Sequence, residues 1–324
     1  MAYKIMILGA SYGSLLGSKL AAAGHDVTLV CRQKTADLIN SKGTEVRIKL
    51  RGEDTHRSFF SMSLGGRTNA VTPEQAQPQE YDLICLAMQE PQYSHPSLRD
   101  LLSRVAKAKV ACMSIMNMPP LPYLKRISSL DCTKLTEAFL NPEIWSEFDP
   151  GLMTLCSPDP QAYRPPEEDP NVLHVGLPTN FKVSKFNNPE LDSMLENIAA
   201  DIDAFRVAGK DVPVKLRVFD SLFVPFAKWA MLATGNYRCI THTGPRSIQS
   251  SVHSNLAKSE SIYDFVNNLV VTLGADHSDM VPFAKYSAAA EGLRNPSSAA
   301  RAVFSGAINI CLLYTSPSPR DIGP

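Results

Sequence analysis

Hydrophobic positions near the N-terminus follow two different spacings within about thirty residues. Residues 3–8 (YKIMIL) form a short apolar run of strand length, and residues 27–31 (VTLVC) form a second, rich in β-branched side chains. Between them Leu15, Leu16, Leu20 and Ala23 recur at helical spacing. A glycine turn at 9–13 precedes that helix, and Gly24 stands where a helix-ending glycine belongs. Strand, turn, helix and strand in this order predict a βαβ unit with parallel, neighbouring strands.

The alternation continues. Residues 81–88 (YDLICLAM) and 109–116 (KVACMSIM) predict buried strands, with a helix over 97–107 between them. The fold class expected is therefore α/β, an N-terminal Rossmann-type, doubly wound parallel sheet. Residues 119–180 are rich in prolines, and Pro158, Pro160, Pro165, Pro166 and Pro170 predict a long surface loop between short strands at 153–156 and 172–175. From Asn188 only helical spacing is visible. Leu191, Leu195, Ile198, Ile202 and Phe205 predict one helix behind a cap at Asn187 or Asn188. A stretch from 214 to 236 predicts a second, bent at Pro225, and further helices are predicted around 262–269 and 280–293. The domains expected are 1–186, a sheet domain, and 187–310, an all-helical domain.

The last residues do not follow this logic. Residues 311–321 (CLLYTSPSPRD) resemble the translation of a transposon-type sequencing adapter, so residues 311–324 are expected to be a non-native tail and the helical domain to be truncated near Ile310.

Composition narrows the partners. Formal net charge is zero, which removes any global attraction to nucleic acid or an acidic membrane surface. No apolar run reaches bilayer-spanning length, and residues 1–8 lack a secretory signal's basic start. The seven cysteines are scattered, without C-x-x-C or zinc spacing, and no histidine pair has ligand spacing, so no metal is expected. Scattered thiols fit a reducing compartment, and a cytoplasmic protein is expected.

The glycine turn carries the first candidate chemistry. A helix that starts at the end of a parallel strand presents free amides and a partial positive charge to a pyrophosphate, provided the turn lacks bulky side chains. Gly9, Ala10, Ser11, Tyr12, Gly13 and Ser14, with Gly17 one helical turn later, are the candidate cofactor-binding residues. Ser11 replaces the middle glycine of the usual pattern, and the turn is one residue shorter. NAD binders place an acid about 20 residues beyond the glycines, at the end of the second strand. Here Cys31 and Arg32 stand there, with Lys34 close by, so a guanidinium for the 2′-phosphate and NADP (NADPH) are expected.

Three stretches resemble the ketopantoate (2-dehydropantoate 2-) reductase family. Residues 7–32 (ILGASYGSLLGSKLAAAGHDVTLVCR) are similar to its opening nearly residue by residue, and Asn117 in SIMNM matches the Asn of its Asn-Gly-Met turn. Lys228 and Asn236 match a helix bearing a catalytic Lys and two Asn four and eight residues on, with Leu232 at the first Asn position. Gln89 stands where the family has a Lys, while Gln92 matches a following Gln. Ser298, beside Ser297, matches a late-helix Ser, whose partner Glu would fall in the tail.

The resemblance implies a Rossmann domain, an all-helical domain and an active site in the cleft. It implies reduction of a 2-oxo acid, ketopantoate to pantoate in pantothenate biosynthesis. Lys228 would be the proton donor and Asn236 its catalytic companion, Asn117 and Ser298 would bind substrate, and Gln89 and Asn117 would flank the cofactor. The departures at Ser11, Gln89 and Leu232 leave open another 2-oxo or opine-type substrate, or a non-catalytic NADP-binding redox sensor. The partner expected is a small-molecule 2-oxo acid, with no nucleic acid and no membrane; a homodimer is compatible with the sequence.

Overall fold

The computed structural model describes residues 2–165 and 167–306, so the adapter-like tail and the expected truncation point lie outside the described residues. The chain divides into two compact units, Met1–Asp220 and Ser221–Pro324.

The first unit begins with the expected βαβ: β1 (Lys4–Leu8), α1 (Gly13–Ala22) and β2 (Asp26–Val30). Helix α1 ends by a hydrogen-bond pattern that needs a left-handed residue. The His25 N–H donates to the Leu20 carbonyl and the Gly24 N–H to the Ala21 carbonyl, both at 3.0 Å, with Gly24 at φ +91°. Gly17 faces the sheet. A Cβ there would lie 3.3 Å from Val27 Cγ1, so the helix packs as close as a glycine allows.

After α2 (Gln33–Lys42) come β3 (Glu45–Lys49), β4 (His56–Phe60), β5 (Thr68–Val71) and β6 (Leu83–Leu86). Helix α3 (Pro96–Ala108) leads to β7 (Ala111–Ser114), and short helices α4 (Leu121–Leu124) and α5 (Pro142–Ser146) lead to β8 (Met153–Ser157). Six strands run parallel in the order β5-β2-β1-β6-β7-β8. Ranked along the chain this is 3-2-1-4-5-6, the Rossmann order, and it reverses between β1 and β6. The central strands are apolar throughout, as both faces of a parallel sheet require: Ile5, Met6, Ile7 and Leu8 are fully buried.

The rest of the unit departs from the sequence expectation in three places. The proline-rich loop holds a strand, β9 (Gln161–Tyr163), antiparallel to β10 (Val172–Leu177), and β4-β3-β10-β9 form a second sheet. Three residues among prolines carry no periodic signal. The division falls at residue 220 rather than near 187. After β11 (Phe181–Ser184), helix α6 (Pro189–Ala204) is followed by a short hairpin of β12 (Arg206–Val207) and β13 (Lys210–Asp211), then by β14 (Leu216–Phe219). β14 pairs in parallel with β11, which is antiparallel to β8, so both extend the large sheet. The expected helix from 214 is therefore a strand at its start, since four residues of pairing to a distant strand outweigh local spacing. Asn188, not Asn187, caps α6, accepting from the Glu190 and Leu191 amides at 3.0 and 3.2 Å.

The second unit holds α7 (Ala227–Met231), α8 (Ile248–His253), α9 (Leu256–Thr272), α10 (Phe283–Ala290) and α11 (Ser298–Phe304). Ala230, Val252, Tyr263, Tyr286 and Ala300 are among its core residues, with the two tyrosine rings stacked at 5.4 Å.

One charge is buried under α1. Lys19 is 3% exposed, and its Nζ donates to the carbonyls of Val212 and Pro213 at 3.3 and 3.0 Å. Val214 beyond them sits at φ +68°, rare for a β-branched residue. Burial pushes the Lys19 ammonium down to about 7; Lys215 acts in the same sense, while Asp211 and Asp203 oppose. A lysine lowered on folding is protonated only in the unfolded chain between pH 7 and its ordinary value. Stability therefore rises with pH across that window, by up to about 1.4 kcal/mol per pH unit from this group. Urea unfolding between pH 7 and 10 should show the rise, and Lys19→Met should flatten it; an unchanged slope in the variant would contradict the assignment.

Candidate functional site

The glycine turn lies at the C-terminal ends of β1 and β6, where the strand order reverses. Gly9 has φ +107°, and a Cβ on it would stand 2.6 Å from Met88 Cγ and 2.9 Å from the Ala87 carbonyl oxygen. A Cβ on Gly13 would stand 2.7 Å from Ile7 Cγ2. Both positions need glycine for the turn to close on the sheet. The Gly9 amide donates to the Val30 carbonyl at 2.9 Å, which fixes where the turn leaves the sheet.

Ser14 Oγ donates to the Ala10 carbonyl inside the turn. Tyr12 does not face outward. Its side chain is buried, its ring is edge-on to Phe181 at 5.9 Å, and its hydroxyl donates to the Pro160 carbonyl at 2.7 Å. Tyr12 can serve a ligand through its backbone only. Among the described residues, no side chain caps α1 and no acid stands in its first turn. The amides that a helix start leaves without intrahelical acceptors are not spent on a carboxylate of the chain. That fits a pyrophosphate.

The opposite wall follows β6. Met88 N–H donates to the Tyr93 hydroxyl at 3.1 Å, and Gln89 N–H donates to Gln92 Oε1 at 2.9 Å. Gln92 thus holds the turn in which Gln89 lies half-buried. Glu90 was not singled out from sequence. It is 3% exposed, and its carboxylate accepts from the Leu140 amide at 3.2 and 3.3 Å. Burial raises its pKa, and the Leu140 amide opposes that. A glutamate in the polar run QEPQ gives no sequence signal of such burial. Asn117, three residues past β7, is buried.

Arg32 stands at the end of β2 as the residue before α2, exposed. Burial pushes the adjacent Cys31 thiol up to about 12, so it stays neutral, and the Arg164 charge works against that shift.

In the second unit Lys228 lies on α7, half-buried. Leu232, which replaces the first Asn, is 4% exposed and belongs to the core. Residues Leu232–Asn236 form a π turn. Eight residues of α-helix would leave Asn236 about 80° round from Lys228. The wider π turn advances each residue through a smaller angle, which brings Asn236 back toward the Lys228 face.

Side chains take up the carbonyls of this turn and its flanks. The Tyr286 hydroxyl donates to Met231 at 3.2 Å, Cys239 Sγ to Gly235 at 3.4 Å and Ser297 Oγ to Asn236 at 2.6 Å. Gly235 is required, since a Cβ would lie 2.0 Å from the Tyr286 oxygen. Ser297 also accepts from the Ala300 amide at 3.1 Å as the cap of α11. Ser298 is the first helical residue beyond it, half-buried.

Residues 5–117 match the family described as ketopantoate reductase PanE/ApbA. Among solved structures, 2-dehydropantoate 2-reductase from Methylococcus capsulatus aligns at 12% identity and TM-score 0.60, covering 94% of this chain and 84% of that one. A PanE/ApbA family ketopantoate reductase from Ralstonia eutropha JMP134 aligns at 14% identity and TM-score 0.56, covering 94% and 86%. D-mandelate dehydrogenase with NADH and anilino(oxo)acetate aligns at 14% identity and TM-score 0.54, covering 90% and 80%. No curated protein sequence matches. These likenesses carry the fold class, a Rossmann domain followed by a helical one.

The double use of Ser297 sets a stability contrast. Ser297→Ala removes a helix cap and a carbonyl partner, and should cost about 1–2 kcal/mol in urea unfolding. Ser298→Ala should stay within about 0.5 kcal/mol. Equal losses for the two would contradict the placement.

Proposed function

We propose, on the premise that residues 5–117 are a ketopantoate reductase PanE/ApbA domain, that this chain is an NADPH-dependent reductase of a 2-oxo acid. The observation that carries the reading is the uncapped start of α1 at the strand-order reversal, reached through a turn that only glycines can close. Backbone amides of residues 10–13 hold the pyrophosphate. Arg32 rather than an acid at the end of β2 favours the 2′-phosphate of NADP. NADH in the D-mandelate dehydrogenase structure is that protein's cofactor, and the residue after β2 is what separates the two cofactors here.

The bound nicotinamide supplies reducing equivalents to the carbonyl carbon. The chain's own task is the proton and the placement. Lys228 polarises the ketone oxygen through its ammonium and gives up a proton from Nζ as that oxygen becomes a hydroxyl. Asn236, on the face that the π turn restores, orients the Lys228 side chain and the ketone. Asn117 and Ser298 hold the substrate, Ser298 through its carboxylate.

Leu232 favours a substrate other than ketopantoate. With a buried leucine in place of an amide, one polar contact of the family site is missing, and a site built for hydrogen bonds discriminates strongly on each of them. It also keeps the sensor reading in play as the contrary outcome.

The test is NADPH oxidation at 340 nm against a panel of 2-oxo acids. Turnover of at least one is expected, with Lys228→Ala lower by ~10²–10⁴-fold. NADPH binding without turnover across the panel would favour a sensor, and undiminished turnover in Lys228→Ala would remove that residue from the mechanism.

A further inference from the structure

The segment between β8 and β10 takes no part in the function proposed above, yet it is fastened at both ends to the cofactor half of the first unit. At one end the Tyr12 hydroxyl, from the glycine turn, donates to the Pro160 carbonyl at 2.7 Å. At the other, Lys42 Nζ lies 2.9 Å from Asp169 Oδ2 and Asn171 Nδ2 donates to the Gly43 carbonyl at 2.8 Å. Those last partners stand at the C-terminal end of α2, a helix of ten residues and so about 15 Å long. The chain is therefore fastened at Pro160 beside the glycine turn and at Asp169 and Asn171 beside the far end of α2.

Arg164 lies between the two anchors, half-buried. The near end of α2 is Cys31 and Arg32. The Gly9 amide donates to the Val30 carbonyl at 2.9 Å, so the Tyr12–Pro160 fastening, four residues before Arg164, belongs to a turn bonded to the end of β2. The Arg164 charge acts on the Cys31 thiol in keeping with that. Cys31 is neutral there. The nearby acid, Asp37, accepts from Gln33 Nε2 at 2.7 Å within α2. Arg32 and Lys34 stand at this end of α2, so with Arg164 the region carries three cationic side chains.

We propose that Arg164, brought by the Tyr12–Pro160 and Lys42–Asp169 fastenings to the end of β2, forms with Arg32 a two-arginine seat for a phosphate monoester, the 2′-phosphate of an adenosine ribose. The proposal rests on the dinucleotide reading above. Two planar guanidinium forks suit a dianionic phosphate, which can accept several charge-assisted hydrogen bonds at once. A ribose 2′-hydroxyl has no comparable use for a second cation. Arg164 thus sets the preference between the two nicotinamide dinucleotides, while the glycine turn supplies the affinity they share.

The experiment is calorimetric titration of the full chain and of Arg164→Gln and Arg164→Lys with NADP+, NAD+ and adenosine 2′,5′-bisphosphate. Arg164→Gln should weaken NADP+ and the bisphosphate by about tenfold or more and NAD+ by less than about twofold. Arg164→Lys, which keeps the charge and the fold but loses the fork, should fall between. Unchanged NADP+ affinity in both variants, or equal loss for NADP+ and NAD+, would overturn the seat. Wild-type protein that binds NAD+ but not NADP+ would also overturn it. Wild-type protein that binds neither dinucleotide would overturn the dinucleotide reading itself.

Discussion

The close approach of the glycine turn to the loop after β6 is the contact on which the chemistry proposed for the first unit depends. Gly9 sits against the Ala87 carbonyl and the Met88 side chain with no room for a Cβ, and Gly13 sits against Ile7. A methyl group at either place would push the turn off the sheet. α1 would then start further from the strand-order reversal, and its first amides would no longer face the crevice there. The other wall is fixed by its own bonds, Met88 to Tyr93, Gln89 to Gln92 and Glu90 to Leu140, so the turn closes onto a surface that does not yield. Steric exclusion on one side and satisfied polar groups on the other fix the backbone of the turn in place, as the proposed anion site requires.

The second unit solves a related problem with side chains. A π turn disturbs the regular pairing of backbone carbonyls, and an unpaired buried carbonyl is costly. Tyr286, Cys239 and Ser297 donate to three carbonyls of that region. Their positions in α10, after the π turn and before α11 tie distant parts of the helical unit to one turn. That turn carries Asn236 and begins four residues after Lys228. Core packing and the placement of the proposed proton donor are in this sense one feature. The buried Lys19 shows the opposite trade, an amine kept under α1 at the expense of its charge while it fastens the strained Val214 segment to the helix.

Much of the sheet was legible from residues alone. The switch between short apolar runs and helical spacing around Gly9 and Gly24 announced β1, α1 and β2, and further apolar runs announced β6 and β7. Strand β9 was hidden because three residues among prolines show no period, and its partner is set by a distant strand. Strand β14 was hidden because its apolar residues merged with those of the helix that follows, which also drew the unit boundary too early. Within the candidate site, the sequence marked the turn and Arg32 by residue type and position, and Lys228 and Asn236 through the family resemblance. It did not mark Glu90, Ser297 or Arg164. Their roles arise from partners 50, 61 and more than a hundred residues away, and no local pattern encodes such distances.

Backbone amides at the start of α1, presented by a turn that closes through Gly9 and Gly13, are the central claim. Amide hydrogen exchange of the full chain, with and without saturating NADP+, addresses it directly. Residues 10–14 should become markedly slower on binding, while α9 in the second unit, as an internal reference, changes little. Exchange at 10–14 that is indifferent to NADP+, under conditions where the dinucleotide is demonstrably bound, would contradict the account.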